Sequence, residues 1–339
     1  FINSPCANKL LCTFDKIGIM KDMRFIGYII LSMLAGVYTA KAQTVPKAPE
    51  GEQVLFADPF IFYYDGLYYA YGTSSFDGIE ALEHWEVPGG AKRHLALHKE
   101  DVYGETWFWA PEVYQVNGKF YMYYSGDERI CVAMSDSPLG PFKQVEKKPM
   151  FNEKAIDHTL FIDDDGKAYL FFVRFNDGLN VWVAELEKDL VTLKEKTLHP
   201  CIKTTQPWEK TCGGVNEGPF VIKHEGRYYM TYSANSFECQ DYGIGCATAT
   251  DIMGIWIKYG ENPLLQNEKG LVGIGHNALF TDKDGKLRIV YHAHKDKKNI
   301  HPRAMYIGDV YFKKVRGVDR LRISKERIVP RISRTGSNQ

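Results

Sequence analysis

From Val54 onward the chain is a series of short apolar runs broken by polar turns, and no long segment shows helical periodicity. Phe60–Tyr64, a turn at Asp65-Gly66 and Leu67–Tyr71 read as a hairpin, with β-forming residues on both sides and a glycine able to take positive φ. The same pattern recurs around Asn117-Gly118, Asp165-Gly166, Glu225-Gly226 and Asp284-Gly285. Successive turn glycines are 52, 48, 60 and 59 residues apart. At about five or six residues per strand plus turns, each unit has room for roughly four strands. Second hairpins are visible at Val132–Phe142 and Cys246–Trp256, with Val181–Ala184 in the matching place of the third unit. Five such units predict an all-β fold, a five-bladed β-propeller. A β-sandwich has no reason for a fivefold cassette, and a β-helix needs a much shorter period.

Seven residues before the turn glycines stand Pro59, Pro111, Thr159, Pro219 and Ala278. Just upstream of these lie Asp58, Trp109, Asp157, Glu217 and His276. The scaffold repeats while the chemistry changes, which predicts one site at one mouth of the propeller axis. Three carboxyl groups would then face each other, and like charges at short range raise the proton affinity of at least one. One protonated acid and one ionised base are what hydrolysis of a glycosidic bond requires.

Composition changes this picture little. Lys and Arg total 42 against 42 Asp and Glu, which gives no electrostatic case for nucleic acid or an anionic membrane. Aromatics reach 14%, which suits strands and also stacking against sugar faces. Met23-Arg24, the apolar stretch Phe25–Val37 and Ala40-Lys41-Ala42 read as a secretory signal cleaved near Ala42. Residues 1–42 are therefore assigned to upstream sequence and signal, 43–53 to a leader, 54–330 to a single catalytic propeller and 331–339 to a tail. A secreted or periplasmic protein, free of the membrane after cleavage and monomeric, is expected. In an oxidising compartment Cys201/Cys212 and Cys239/Cys246 are close enough in sequence to pair. No cysteine–histidine spacing suits zinc.

Ala57-Asp58-Pro59, Trp109-Ala110-Pro111-Glu112, Ile156-Asp157, Glu217-Gly218-Pro219 and Gly275-His276 occur in that order. Together they resemble glycoside hydrolase family 43, five-bladed propellers that act as inverting glycosidases on arabinose- and xylose-containing plant polysaccharides. The resemblance spans about residues 54–312. It implies Asp58 as the general base, Glu217 as the general acid and Asp157 as the group that tunes and orients the acid. It further implies Trp109 as an aromatic wall and Arg303 as a contact to sugar or acid. Glu112 and His158, which stands where relatives often have proline, are expected beside the substrate. His276 matches an axial histidine that borders a calcium ion or a water; no cofactor is required for the chemistry.

The substrate expected is an arabinose- or xylose-containing oligosaccharide, and the activity an exo-acting α-L-arabinofuranosidase. Exo action is inferred from insertions around Glu80–Gly90 and Thr204–Gly213 that would wall off a cleft. The alternatives are β-xylosidase, exo-galactosidase or endo-arabinanase. A non-catalytic carbohydrate-binding propeller would tolerate loss of a carboxylate, and all three are present. A phosphorylase needs a tight basic cluster near Asp58 that the sequence does not offer.

Overall fold

The computed structural model describes residues 51–73, 75–86 and 90–332. The signal segment, its cleavage site and the leader through residue 50 lie outside the described residues. Five antiparallel sheets follow one another along the chain. Blade 1 comprises Ala57–Tyr64, Leu67–Thr73, Gly78–Glu83 and Lys92–His98. Blade 2 comprises Trp109–Val116, Lys119–Gly126 and Arg129–Ser135, its fourth strand reduced to a bridge between Met134 and Lys143. Blade 3 comprises Ala155–Ile162, Ala168–Phe175, Leu179–Glu185 and His199–Ile202. Blade 4 comprises Asn216–His224, Arg227–Ala234, Gly243–Ala249 and Ile257–Lys258. Blade 5 comprises Gly275–Thr281, Leu287–Ala293, Ala304–Val315 and Val318–Ile328. The first strand of each blade touches the first strands of its two neighbours, so these five line the axis of a five-bladed β-propeller.

The ring is tied shut by Glu52–Gln53 pairing antiparallel with Arg331–Ile332, and by Val54 N–H donating to the Pro330 carbonyl. The closure therefore takes in residues on both sides of the 54–330 span expected from sequence. Neighbouring blades diverge outward, and large flat side chains fill the wedges. Tyr71, Tyr123 and Tyr232 are fully buried, and each phenol still reaches an acceptor: the Pro138 carbonyl at 2.6 Å, the Leu190 carbonyl at 2.7 Å and Glu209 at 2.7 Å. Long aromatic side chains with a polar tip thus pack the core and hold the outer loops.

The cysteines pair differently from expectation. Cys212 is bonded to Cys239, while Cys131, Cys201 and Cys246 are free. Closeness in sequence misleads here because Cys201 lies on an outer strand of blade 3 and Cys246 is buried in a central strand of blade 4. Loop contacts such as Ser236 N–H to the Cys212 carbonyl bring the other two together. The Thr204–Gly213 insertion is pinned from beneath by buried Glu209, which accepts from Thr205 N, Gln206 N and the Lys258 ammonium.

Candidate active site

The first strand of every blade carries the same irregularity. Between Ala57 and Phe60, Trp109 and Glu112, Ile156 and Thr159, Glu217 and Phe220, and Gly275 and Ala278, two residues oppose one on the second strand. The first residue of each bulge is left-handed: Asp58 at φ 48°, Ala110 at 49°, Asp157 at 51°, Gly218 at 52° and His276 at 45°. Only one is glycine, so the other four hold a conformation that costs roughly 1–3 kcal/mol and must be fixed by their surroundings. A bulge re-aims side chains, and here it presents Asp58, Asp157 and His276 to one mouth of the axis. Trp109 and Glu217 stand one residue earlier, on the same rim. At Gly218 an added Cβ would also meet His276 at 3.3 Å.

A ring of hydrogen bonds holds the five bulges. The left-handed residue of each blade donates its N–H to a side chain of the preceding blade. Asp58 N donates to His292 Nδ1 (3.1 Å), Ala110 N to Thr73 Oγ1 (3.0 Å), Asp157 N to Ser125 Oγ (3.3 Å) and His276 N to Ser233 Oγ (2.8 Å). Blade 3 has Val173 where the others have Thr73, Ser125, Ser233 and His292, and valine cannot accept. There the Asp157 carboxylate takes the role, accepting from Gly218 N at 3.1 Å. One candidate catalytic group is thus fastened to the peptide bearing another. None of these four supporting residues was expected from sequence. The signal was nonetheless present: each stands seven residues after its turn glycine.

The rim opens into a cavity of about 1000 Å³ lined by Asp58, Trp109, Asp157, Glu217, His276 and Arg303, among others. Six of the eight residues expected at the site are therefore together. Glu112 and His158 are corrections: both are buried and neither lines the cavity. Glu112 stands just past the Ala110-Pro111 bulge, and the bulge that aims Asp157 at the mouth leaves the next residue, His158, inside. Glu112 is bonded to the Tyr114 hydroxyl, and burial pushes its carboxyl up to about 8. Burial pushes His158 down to about 3, which leaves a neutral imidazole packed 5.9 Å from the Tyr123 ring.

The three carboxyl groups differ sharply in proton affinity. Asp58 Oδ1 meets Arg303 Nη1 at 3.0 Å and His276 Nδ1 at 3.3 Å, and its Oδ2 accepts from Thr73 at 2.7 Å. Burial alone would raise its pKa, but the charges of Arg303, His276 and His292, with the Thr73 bond, outweigh it. They hold Asp58 well below the usual carboxylate range. Burial pushes Glu217 up to about 7; the Asp58 charge adds to the rise, while Tyr242 and Arg303 oppose it. The buried Tyr242 hydroxyl lies near Glu217 without a hydrogen bond of standard geometry. Burial also pushes Asp157 up to about 7, opposed by His276 and the Gly218 N–H and reinforced by Glu217 and Asp58. His276 Nδ1 is 3.8 Å from Asp157 Oδ2, so Asp58 and Asp157 bring oxygens within about 7 Å of each other. One site thus holds a carboxylate kept ionised and two carboxyl groups that are protonated below neutrality.

The family described as glycosyl hydrolases family 43 matches residues 53–314. This chain belongs to that family. As a family 43 protein it is 45% identical to an endo-1,4-β-xylanase from Bacteroides thetaiotaomicron whose crystal structure superposes with a TM-score of 0.79, covering 85% of this chain and 100% of that one. It is 29% identical to a β-D-galactofuranosidase from Aspergillus niger over 51% of this chain and 50% of that protein. It is 26% identical to an extracellular exo-α-(1→5)-L-arabinofuranosidase from Streptomyces avermitilis over 72% of this chain and 55% of that one. The chain spans about half the length of these two curated relatives.

Family resemblance raised calcium beside His276. Calcium takes six to eight oxygen ligands. His276 offers nitrogen, and the Asp58 oxygen nearest to it is already held by Arg303. Among the described residues no three His, Cys, Asp or Glu side chains form a metal-holding group. The donor set does not suit calcium. The insertions behind the exo expectation also contribute less than expected. No residue of Thr204–Gly213 lines the cavity, and of Glu80–Gly90 only Glu80 does, with residues 87–89 outside the described set. The Thr204–Gly213 insertion acts at one remove, through Cys212–Cys239, on the loop that carries the cavity residues Ser236 and Phe237.

Proposed function

We propose that this family 43 chain is an inverting glycosidase, an exo-acting α-L-arabinofuranosidase that works on plant oligosaccharide as a secreted or periplasmic monomer. The observation that carries the reading is the gathering of Asp58, Glu217 and Asp157 on one cavity, where Arg303 against Asp58 favours its ionised form and burial favours the protonated form of Glu217. Asp58 takes a proton from a water, which attacks the anomeric carbon as Glu217 protonates the departing oxygen. A carboxylate offers about four lone-pair sites, and two of those on Asp58 accept hydrogen bonds, from Arg303 and Thr73, which leaves room for the water. Asp157 orients Glu217 through the Gly218 N–H. Trp109 forms a wall for the sugar and Arg303 fixes the base. The Cys212–Cys239 bond supports an oxidising compartment. Among the described residues no helix is long and apolar enough to cross a membrane.

A second reading, action on β-1,4-linked xylose, is favoured by the 45% identity to the protein named as an endo-xylanase. A screen of 4-nitrophenyl α-L-arabinofuranoside, β-D-xyloside and β-D-galactofuranoside, with polymeric xylan alongside, separates the two. The arabinofuranoside is expected to give a kcat/KM at least ~10-fold above the others, within the range a pocket that hydrogen-bonds its sugar can reach. A chelator should leave that rate unchanged. Preference for the xyloside, or internal cleavage of xylan, replaces the first reading with the second.

A further inference from the structure

The cavity rim carries a tryptophan that the chemistry at the axis does not use. Trp107 is 53% exposed, yet it lines the cavity and lies stacked on Trp109, with centroids 5.7 Å apart and planes at 21°. Its place is fixed rather than accidental. Trp107 is held at φ 56°, a left-handed conformation that a bulky residue keeps only when its surroundings impose it. The preceding turn is locked by Asp127, which accepts from Glu105 N (2.9 Å), Thr106 N (2.9 Å) and Thr106 Oγ1 (2.7 Å). The next residue, Phe108, is buried and stacked on Tyr124 at 6.1 Å. Gly104 packs so closely on Gly126 that an added Cβ would come within 3.2 Å of its Cα. The loop therefore has an inner anchor on each side and presents one indole outward.

We propose that Trp107 is the platform of a second sugar subsite, outward of Trp109, and that the ring it takes is a pyranose. This rests on the glycosidase reading above and adds what lies on the leaving-group side of the cleaved bond. A pyranose chair shows a broad, nearly flat face of C–H bonds that matches an indole, whereas a furanose is smaller and puckered and covers less of it. Trp109 and Trp107 form a continuous aromatic step leading from the carboxylates to solvent. A furanosyl unit at the axis and a pyranose backbone unit on Trp107 is the occupancy this step fits. The platform is rigid before substrate arrives, so binding costs little side-chain ordering.

The test compares three arabinosyl donors on the wild type, Trp107→Ala and Trp107→Phe. Arabinosyl fluoride has a leaving group too small to reach Trp107. A xylo-oligosaccharide bearing one arabinofuranosyl branch places a pyranose there, and a linear α-1,5-arabino-oligosaccharide places a furanose. In Trp107→Ala the ratio of kcat/KM on the branched substrate to that on the fluoride should fall roughly 10- to 50-fold, mostly through KM, the scale of losing one stacked aromatic anchor. The linear substrate should lose less, and Trp107→Phe should recover most of the ratio. An equal fall on branched substrate and fluoride would assign Trp107 to holding the loop and overturn the subsite. So would no fall at all. Titration of unbranched xylotetraose into Glu217→Ala and Glu217→Ala/Trp107→Ala reads the platform without hydrolysis. If the wild type cleaves none of the donors but Trp107 still governs this binding, the glycosidase reading fails and the platform stands. Binding that ignores Trp107 overturns the platform whatever the activity.

Discussion

Asp58→Asn loses hydrolysis of every glycoside alike. The amide has no charge with which to take the proton from water, and water must be activated whatever group departs. Positioned general bases contribute about 10²–10⁴-fold, and the loss should lie at the upper end because the amide also leaves Arg303 without its charge partner. The Arg303 side chain is only 9% exposed, so this uncompensated charge will lower stability too. A thermal melt must accompany the kinetics. The account expects a folded protein that is inactive both on oligosaccharides and on aryl glycosides with activated leaving groups. Retained activity on the activated substrate would mean that Asp58 is not the base.

Glu217→Ala gives the opposite pattern. A poor leaving oxygen needs a proton in the transition state, while an activated phenolate does not. Natural oligosaccharides should lose roughly 10²–10⁴-fold, and a dinitrophenyl glycoside about tenfold or less. The pH profile carries the same information. The acid works only when protonated, so wild-type activity on a natural substrate should fall as pH rises through about 7, where Glu217 and Asp157 titrate. The base works only when ionised, and Asp58 is held low, so no loss from its titration is expected between about pH 4 and 6. In Glu217→Ala, turnover of the activated substrate should no longer decline through the Glu217 range. Equal loss on both substrates would sink the assignment of Glu217 as acid.

The propeller and the carboxylates were legible because the hairpin glycines recur and the carboxylates stand eight or nine residues before them. The register was legible only in part. Counting seven residues back from the glycine lands on Pro59, Pro111 and Pro219, each the second residue of its bulge. In blades 3 and 5 it lands on Thr159 and Ala278, one residue too far. The hairpin loops there are longer, closed by Asp163 with Lys167 and by Asp282 with Lys286. The bulges fall at Asp157-His158 and His276-Asn277 instead. His158 is thus the second residue of its bulge, in the place of Pro59, Pro111 and Pro219, and it is buried where sequence reasoning placed it beside substrate. Ser125, Ser233 and Thr73 carry no signal as single residues on strands. They acquire one only when counted forward from the glycines, and the exception at Val173 then explains what fastens Asp157. The Cys212–Cys239 pair and Trp107 depend on loop paths that no periodicity encodes.

The central claim is that Asp58 activates water directly while Glu217, across the same cavity, releases the leaving group. Proton NMR of the first product, recorded before mutarotation, reads this without any mutation. The account predicts the anomer opposite in configuration to the substrate. A product that retains the substrate's configuration would mean that a carboxylate attacks the sugar itself, and would contradict the account.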